Sequence, residues 1–485
     1  MRKIIYTILT CGLFGLVSCN SFLDVQPKGT VEQDKQFADL QGCMDAMYGV
    51  YASMASASLY GQALSWGFVD WIAQLSYDKY GSYPEVWYAN QYDYEHQNVR
   101  PMIDAIWSDA YKCISYVNNI LENVKEQPGE TNLDYSLIRG EAYAIRAFLH
   151  FDILRLFADN YLLSPEAGGI PYATTFDLNN KPVYSLKEVY DRIIADLDQA
   201  ERLLEKDVEM DDVNASSEYR EKRWMHCNKY AVWGIKARVY HYKGELDSAA
   251  VYARKVIESP VFSLIPKGSY ISKKLYRFSL SSMNGETLWG LYTKNFYDNY
   301  RKLFLDGSVA MGNILCVRED VRSIYEAQSF DADSKDDRFE VFFSTDMYDS
   351  RLYNFKRLLT LNETANNING VCLIRLPEMY YILAEALYQT NKEQAVRYFN
   401  DVRNSRGLRD IESTRMATWE LFKNELLNER RKEFWGEGQC FFTYKRENMA
   451  IIDGTTQQNV FQPSPEIYIL PWPEAEKEFG ITSKN

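Results

Sequence analysis

Apolar residues recur at three- and four-residue spacing through most of this 485-residue chain. Residues 104–124 and 137–157 each carry an apolar stripe with the 3.6-residue period of a helix. Ser185 is a suitable N-cap, and Glu188 stands where it would complete a capping box, so a further helix is predicted to run to about Leu204. The pattern therefore predicts a mainly α-helical protein.

Two segments, 230–259 and 379–406, each predict a pair of helices joined by a short polar turn. Gly244 supplies the turn in the first pair, and small residues such as Ala237 and Ala384 are predicted to lie where the paired helices cross. This arrangement resembles tetratricopeptide repeats, although the repeats here are degenerate and not in tandem. Because such pairs cannot bury their apolar faces alone, we expect them to stack into a shared scaffold.

The helical pattern stops in residues 61–100 and about 260–370, which are rich in Tyr, Asn, Asp and Gly. Within the second region, residues 286–292 and 313–317 predict short strands. Irregular segments carried on a rigid scaffold are common places for binding sites. No linker rich in Pro, Gly or Ser interrupts the chain, so we predict a single domain over residues 19–485, with 260–370 as a loop-rich lobe.

Residues 1–18 have the layout of a secretion signal. Arg2 and Lys3 give a positive start, and the apolar run over residues 4–17 is too short to span a bilayer. A small residue then precedes Cys19, a pattern that resembles a bacterial lipoprotein signal, in which cleavage leaves an acylated cysteine as the new N-terminus. An ordinary signal peptide is the alternative. We predict lipidation at Cys19, because two or three acyl chains anchor a soluble domain firmly.

Charge and cysteine content narrow the functional class. The chain has 67 acidic and 54 basic residues, a formal net charge of −13 at pH 7. This excess of acidic residues argues against a nucleic-acid partner and against membrane binding through a polybasic segment. The eight cysteines include Cys11 in the leader and Cys19. The others are scattered without a C-x-x-C pair, which predicts buried thiols rather than a disulfide framework.

Motifs of known enzymes and metal sites are missing from the sequence. It contains no G-x-S-x-G, Walker A or H-E-x-x-H motif, so we expect no catalysis, no metal and no cofactor. His150 and His241 lie in helical stripes and are interpreted as packing residues. The segment from Asp331 to Asp333 begins like a calcium loop, but Asp336 stands where the loop requires glycine, so a solvated acidic turn is predicted.

A second acidic group needs a separate interpretation. Glu429, Glu433 and Glu437 share one helix face and could suggest the paired carboxylates of a glycoside hydrolase. However, Arg430 and Arg431 interleave with them, and a four-residue spacing on one helix does not place two acids across a substrate. We therefore predict a structural ion-pair network.

Aromatic residues make up 15% of the chain, with 37 Tyr and 10 Trp. Tyr and Trp combine a flat apolar face with a polar edge, which matches the C–H face and hydroxyl rim of a sugar; filling of the core is the alternative use. These residues are concentrated between Trp66 and Tyr94. Trp66 and Trp71 fit a helical pattern and are expected in the core. Trp87 and Tyr83 flank a proline in a segment predicted to be a non-helical loop, so they are the first candidates for ligand contact.

Several short motifs now combine in a specific order. They are Arg146-Ala147-Phe148, Gly169-Ile170-Pro171, Asp336-Asp337-Arg338, Arg375-Leu376-Pro377-Glu378, Ala384-Glu385-Ala386, Arg403 with Arg406-Gly407, Glu429 to Phe434, and Ile469 to Pro473. Together they resemble the SusD/RagB family of outer-membrane nutrient-binding lipoproteins of Bacteroidetes. The sequence departs from the family pattern at residues 160–162, where a Tyr-Gly turn is usual, and at residues 441–446.

The resemblance implies a tetratricopeptide-like helical scaffold decorated with irregular loops and a few short strands. It also implies a lipid-anchored protein on the outer-membrane surface that captures an oligosaccharide or polysaccharide for a SusC-type TonB-dependent transporter. A peptide or another nutrient as ligand, a glycoside hydrolase, and a scaffold without a ligand are the alternatives. Two binding walls are implied by position: Asp78, Tyr80, Tyr83, Trp87 and Tyr88 on one side, and Trp289, Tyr292, Tyr297 and Tyr300 on the other.

Overall fold

The structure is a computed structural model that describes residues 33–79, 81–125, 132–207, 210, 217–269, 285–294, 296–304, 315–318, 320–327, 334–345, 352–355 and 370–478. Four sequence predictions fall outside these ranges: the leader with Cys19, the tyrosine at position 80, the acidic turn at 331–333 and the first part of the strand at 313–317. Within the described ranges the chain is mainly helical, which confirms the predicted fold class.

Helices account for most of the described chain. In chain order they are α1 Gln33–Gln36, α2 Leu40–Met54, α3 Phe68–Ile72, α4 Pro84–Asn90, α5 Arg100–Asn123, α6 Asn132–Phe157, α7 Leu186–Leu203, α8 Lys229–Lys243, α9 Leu246–Ile257, α10 Phe296–Phe304, α11 Val321–Ile324, α12 Asp337–Phe342, α13 Leu376–Leu387, α14 Lys392–Ser405, α15 Trp419–Glu433, α16 Gln439–Arg446, α17 Pro465–Tyr468 and α18 Glu474–Glu478.

The strands are short and form antiparallel two-stranded sheets. They are β1 Ser76–Tyr77, β2 Gly168–Pro171, β3 Val183–Ser185, β4 Thr287–Tyr292, β5 Cys316–Val317, β6 Phe343–Thr345, β7 Tyr353–Phe355, β8 Gly370–Arg375, β9 Ile451–Ile452 and β10 Val460–Phe461. The pairs are β1 with β5, β2 with β3, β4 with β8, β6 with β7 and β9 with β10. The loop-rich region is thus joined to the scaffold through β4, whose partner β8 leads directly into α13.

Local sequence signals set several of the helix ends. The predicted capping box opens α7: the Ser185 hydroxyl accepts a hydrogen bond from the Glu188 amide at 3.3 Å, and the Glu188 carboxylate accepts one from the Ser185 amide at 2.8 Å. Gly244 ends α8 in the left-handed region, with φ of 83°. Glycine reaches this conformation without steric strain, so α9 can begin two residues later.

The two predicted helix pairs, α8–α9 and α13–α14, stack on one another through α9 and α13. Ala237 and Ala384 are fully buried within these pairs. A Cβ atom added at Gly234 would lie 2.6 Å from Ile374 Cγ2, so the missing side chain allows β8 to approach α8 closely. This packing confirms the shared helical scaffold expected from the small residues.

The described core is continuous from α2 to α17. Trp66 and Trp71 are 1% exposed, as expected from their helical spacing, and the six cysteines after Cys19 are buried thiols. His150 is also buried; one ring nitrogen lies 2.8 Å from the Arg146 carbonyl and the other accepts the Ala173 amide at 3.0 Å. These predictions of buried packing residues are confirmed.

The two departures from the family pattern contact each other. The Asn160 side-chain amide donates to the backbone carbonyls of Lys445 and Arg446 at 2.8 and 2.9 Å. In return, the Lys445 ammonium donates to the carbonyls of Arg155 and Ala158 at the C-terminal end of α6, at 2.7 and 2.5 Å. Burial lowers the pKa of Lys445 to about 7. The unusual residues therefore form one local contact between the end of α6 and α16.

Ten charged side chains are buried together in the C-terminal part of the protein. The cations are Arg338, Arg375, Arg403, Arg406 and Lys432, and the anions are Glu286, Asp336, Glu429, Glu433 and Glu437. We call this set the charge network. It contains the three glutamates of α15 and the following turn, which confirms that they serve a structural ion-pair network.

Glu433 is the centre of the charge network. Its carboxylate accepts hydrogen bonds from Arg338 at 3.0 Å, from Arg375 at 2.8 Å and from Arg406 at 2.8 and 3.0 Å. Burial alone would raise the pKa of Glu433, but Arg406 and Arg375 outweigh that effect and hold the pKa well below its usual range. An ionised Glu433 is therefore required to balance the surrounding guanidinium groups.

We predict that Glu433→Gln lowers the free energy of unfolding by roughly 3–5 kcal/mol, because removing one partner leaves buried charge uncompensated. Urea denaturation at neutral pH measures the change. The control is Glu420→Gln, an exposed residue of the same helix, which should alter stability by less than about 0.5 kcal/mol. Equal stability of the two variants would contradict the role assigned to the network.

A second buried carboxylate joins the N-terminal helices. Glu141 of α6 is fully buried and accepts hydrogen bonds from the hydroxyls of Tyr51 at 2.6 Å and Tyr219 at 2.7 Å. Its other oxygen lies 2.6 Å from the Arg223 guanidinium. Burial raises the pKa of Glu141, but Arg223 and His226 outweigh burial and lower it to about 2.

The sign of the resulting pH dependence follows from this lowered pKa. The stabilisation from Glu141 is complete above its ordinary value of 4.5 and is lost as the pH falls towards about 2. We therefore expect Glu141→Gln to be much less stable than the wild type at pH 7, with a difference that shrinks between pH 4.5 and 2. Thermal melts across this range measure it, with the exposed Glu393→Gln as control. A difference that stays constant with pH would argue against an ionised Glu141.

Candidate ligand-binding site

The first predicted binding wall is built by β1, α4 and the loop between them. β1 pairs with β5, with Ser76 opposite Val317 and Tyr77 opposite Cys316. The segment beyond was predicted to be a non-helical loop, and this prediction is wrong. Pro84 instead opens the seven-residue helix α4, since proline is well suited to the first position of a helix.

Asp78 organises the loop before α4. Its two carboxylate oxygens accept hydrogen bonds from the Gly81 amide at 3.0 Å and the Tyr83 amide at 2.6 Å, and the residue is 5% exposed. Gly81 has φ of 75°, which allows the tight turn around the carboxylate. The prediction that Asp78 is a ligand contact of the first wall is therefore corrected, because its carboxylate is buried and bonds backbone amides, so that the residue positions the loop.

Helix α4 presents Trp87 to solvent. Val86, Ala89 and Asn90 form the buried face of the helix, whereas Trp87 points away from this face and is 51% exposed. The Asn90 side-chain amide donates to the Trp71 carbonyl at 2.7 Å and the Ser76 carbonyl at 3.2 Å. The helix that carries Trp87 is thus tied to both α3 and β1.

Gln74 ties α4 to the rest of the protein. Its side-chain nitrogen donates to the Asn90 carbonyl at 2.7 Å, and its side-chain oxygen accepts the Gly454 amide at 3.2 Å. The Tyr92 hydroxyl donates to the Ile72 carbonyl at 2.9 Å. Gln74 and Tyr92 both have φ close to 60°, a left-handed conformation that these hydrogen bonds hold in place.

Tyr83 and Tyr88 lie on the same segment and are half-buried. The Tyr88 ring stacks on His96, with a centroid separation of 3.4 Å and an interplanar angle of 13°. Stacking fixes the orientation of this ring beside α4. Contact of Tyr83 and Tyr88 with a ligand stays a prediction.

The hairpin β9–β10 adds apolar surface that the sequence did not reveal. Ile452 and Val460 are directly paired and are 45% and 49% exposed. The neighbouring Phe461 ring meets Tyr92 edge to face at 4.8 Å. The signal that could have revealed the hairpin is Asp453-Gly454, a turn dipeptide between two apolar pairs.

Two of the four residues predicted for the second wall, Trp289 and Tyr300, are wrong as ligand contacts. Trp289 is fully buried in β4 and packs on the Phe148 ring at 5.0 Å. Tyr300 is also fully buried, between Trp66 at 5.6 Å and Phe304 at 5.0 Å. Both residues are therefore core members, because β4 and α10 turn their aromatic faces towards the helical scaffold.

One described residue of that wall keeps an exposed side chain. Tyr292 ends β4 opposite Gly370 and is 38% exposed, so its contact with a ligand stays a prediction. The side chain of the tyrosine at position 297 lies outside the described residues, as does the tyrosine at position 80. Within the described ranges, no three His, Cys, Asp or Glu side chains are placed to hold a metal ion.

Comparison with known proteins identifies the family. Residues 21–241 match a family model described as starch-binding and associating with the outer membrane, and residues 321–468 match the SusD family model. The chain belongs to the SusD/RagB family. A SusD-like protein, P38, from Formosa agariphila is 24% identical over 527 residues, covering 95% of each chain. A second one, P2, is 22% identical and covers 98% of this chain and 96% of its own length.

Solved SusD-like structures share the fold. A SusD-like carbohydrate-binding protein from Bacteroides vulgatus superposes with a TM-score of 0.70 at 19% identity, covering 91% of this chain and 96% of that one. A SusD superfamily protein from Bacteroides thetaiotaomicron gives a TM-score of 0.72 at 21% identity, covering 91% and 98%. These comparisons confirm both the SusD/RagB resemblance and the tetratricopeptide-like helical architecture.

Membership of the SusD/RagB family also indicates a general function. At the level of the family, carbohydrate binding and association with the outer membrane are supported. None of the described helices is both long enough and apolar enough to cross a lipid bilayer. In this SusD/RagB member, exposed aromatic surface at the predicted wall is centred on Trp87.

Proposed function

We propose that this protein is a lipid-anchored receptor on the cell surface that captures an oligosaccharide or polysaccharide for a SusC-type TonB-dependent transporter. Trp87 is the observation that carries the proposal. It is a tryptophan with half of its surface in solvent, held on a helix that several buried hydrogen bonds fix in place.

The chemistry of this surface favours a sugar ligand. An exposed indole ring can stack on the apolar C–H face of a pyranose ring, and the release of water from both faces favours association. Helix α4 is already held by Asn90 and Gln74, so little conformational freedom remains to be lost on binding. The exposed apolar pair on hairpin β9–β10 lies near Gly454, whose amide bonds the same Gln74 side chain that bonds α4.

The same structure supports a binding role rather than a hydrolytic one. Hydrolysis of a glycosidic bond requires two carboxyl groups that face each other across the substrate. The acidic residues that suggested this chemistry, Glu429, Glu433 and Glu437, are buried and engaged by arginines. They therefore act within the scaffold, and we propose that the protein has no catalytic activity.

We predict that Trp87→Ala weakens binding of a glycan identified by array screening by roughly thirtyfold, or about 2 kcal/mol, because a central aromatic anchor is lost. Isothermal titration calorimetry measures the affinity, and thermal melting should be nearly unchanged because the ring is half exposed. Trp87→Phe is the matched control and should retain most of the affinity through stacking. Unchanged affinity in Trp87→Ala, or a large fall in its melting temperature, would refute this site.

The lipid anchor is also part of the proposal. We predict that Cys19→Ala abolishes fatty-acid labelling and releases the protein from the membrane fraction, because the acylated residue is lost. Metabolic labelling with a palmitate analogue, followed by membrane fractionation, measures both effects. Cys11→Ala in the leader is the control and should leave labelling intact. Labelling that persists without Cys19 would exclude this residue as the acylation site.

A further inference from the structure

A groove of about 570 Å³ lies between α2 and α5, on elements that contribute nothing to the Trp87 surface. Its volume is within the range of ligand pockets in proteins. Three aromatic side chains line it: Phe37 is half-buried, while Tyr116 and Phe176 are 39% and 40% exposed. The family resemblance and the Trp87 site leave this groove without a role.

The wall on the α5 side is rigid. Tyr116, Asn119 and Ile120 face the groove together, as residues three and four positions apart on a helix do. The loop that carries Phe176 is held on the same helix, because the Asn118 side chain donates to two of its carbonyls at 3.1 and 3.3 Å. The Phe176 amide itself donates to a carboxylate of α5 at 2.7 Å.

The wall on the α2 side contains a glycine, Gly49, at a position where the surrounding packing leaves room for a side chain. Asp45, Gly49 and Ser53 line the groove at four-residue spacing. A Cβ atom added at Gly49 would meet no atom within 4 Å, and the residue is within helix α2 rather than at a turn. Glycine inside a helix costs stability relative to residues with a side chain. The space left at Gly49 therefore keeps the groove open at a cost to the helix.

We propose that this groove is a second carbohydrate site, which binds a neutral pyranose segment of the same polymer that Trp87 contacts. The proposal rests on the proposed function. Phe37, Tyr116 and Phe176 offer rings for stacking. Gln36 donates to the Gly42 carbonyl, Ser53 donates to the Gly49 carbonyl and Asp45 accepts from the Gln41 side chain. The remaining donor and acceptor positions of these three groups match sugar hydroxyls. Among the described residues that line the groove there is no lysine or arginine, so these residues do not favour anionic sugars.

Two sites on one protein change how ligand length affects affinity. A polymer that reaches both sites binds the second one at a high effective concentration, whereas a short oligosaccharide occupies one site at a time. The groove therefore increases retention of polysaccharide while adding little to the affinity for short fragments.

The test uses Gly49→Leu, because the Cβ atom of the new side chain would meet no atom within 4 Å and the rest of it would occupy the groove. Affinity gel electrophoresis with amylopectin, laminarin, galactomannan or alginate in the gel measures polymer binding. For a neutral polymer that retards the wild type, we expect a dissociation constant about tenfold higher in Gly49→Leu, as loss of one of two linked sites requires. Its melting temperature should equal or exceed that of the wild type. Ala52→Leu places the same leucine side chain at an exposed position of α2 that does not line the groove, and this variant should bind normally.

Each result decides between the groove and the Trp87 site. Binding lost in Trp87→Ala but unchanged in Gly49→Leu overturns the groove and leaves the proposed function standing. The opposite result rejects the Trp87 site, and with it the claim that the two sites share one polymer, and leaves the groove as a separate carbohydrate site. A wild type that no polymer retards overturns both. An effect of Gly49→Leu on alginate alone, or on retention of a casein digest in place of polysaccharide, also overturns the proposal. If Gly49→Leu melts early, Phe176→Ala on the exposed loop replaces it and must weaken polymer binding.

Discussion

The requirement that every buried charge be matched governs the C-terminal part of this protein. Ten charged groups meet away from water, and each is tolerable only while its partners are present. The partners come from the segment before β4, from α12, β8, α14 and α15, and from the turn after α15. These elements must therefore assemble together, because any one of them alone would bury an unmatched ion.

The ligand-binding surface depends on that assembly through one short connection. The turn after α15 donates the amides of Gly436 and Gly438 to the Asp70 carboxylate of α3, at 2.8 and 3.2 Å. Helix α3 leads directly into Gln74 and β1, which hold α4. The position of Trp87 therefore depends on a chain of contacts that begins among buried arginines far away in the sequence.

Features that depend on residues close together in the sequence could be predicted from it. The burial of individual aromatic side chains could not, because it depends on contacts with distant segments. Long helices, the capping box at Ser185 and the ion pairs of α15 follow from spacing along a single element. Trp289 and Tyr300 were misplaced, because a run of aromatic residues does not say which face a short element turns to the core. β4 is buried by β8, about 80 residues away, and no periodicity in β4 indicates that partner. Helix α4 was missed because two turns are too short to establish a period.

Because Asn160 bonds the end of α16, two segments that are far apart in the sequence depend on each other's residues. If a homologous segment with the usual Tyr-Gly turn replaced the Asn160 segment alone, the carbonyls of Lys445 and Arg446 would lose their donor. If the α16 segment alone were exchanged, the end of α6 would lose the buried ammonium that its carbonyls now bind. A chimera between this protein and a relative must therefore exchange both segments together, and natural variants are expected to differ at both positions or at neither.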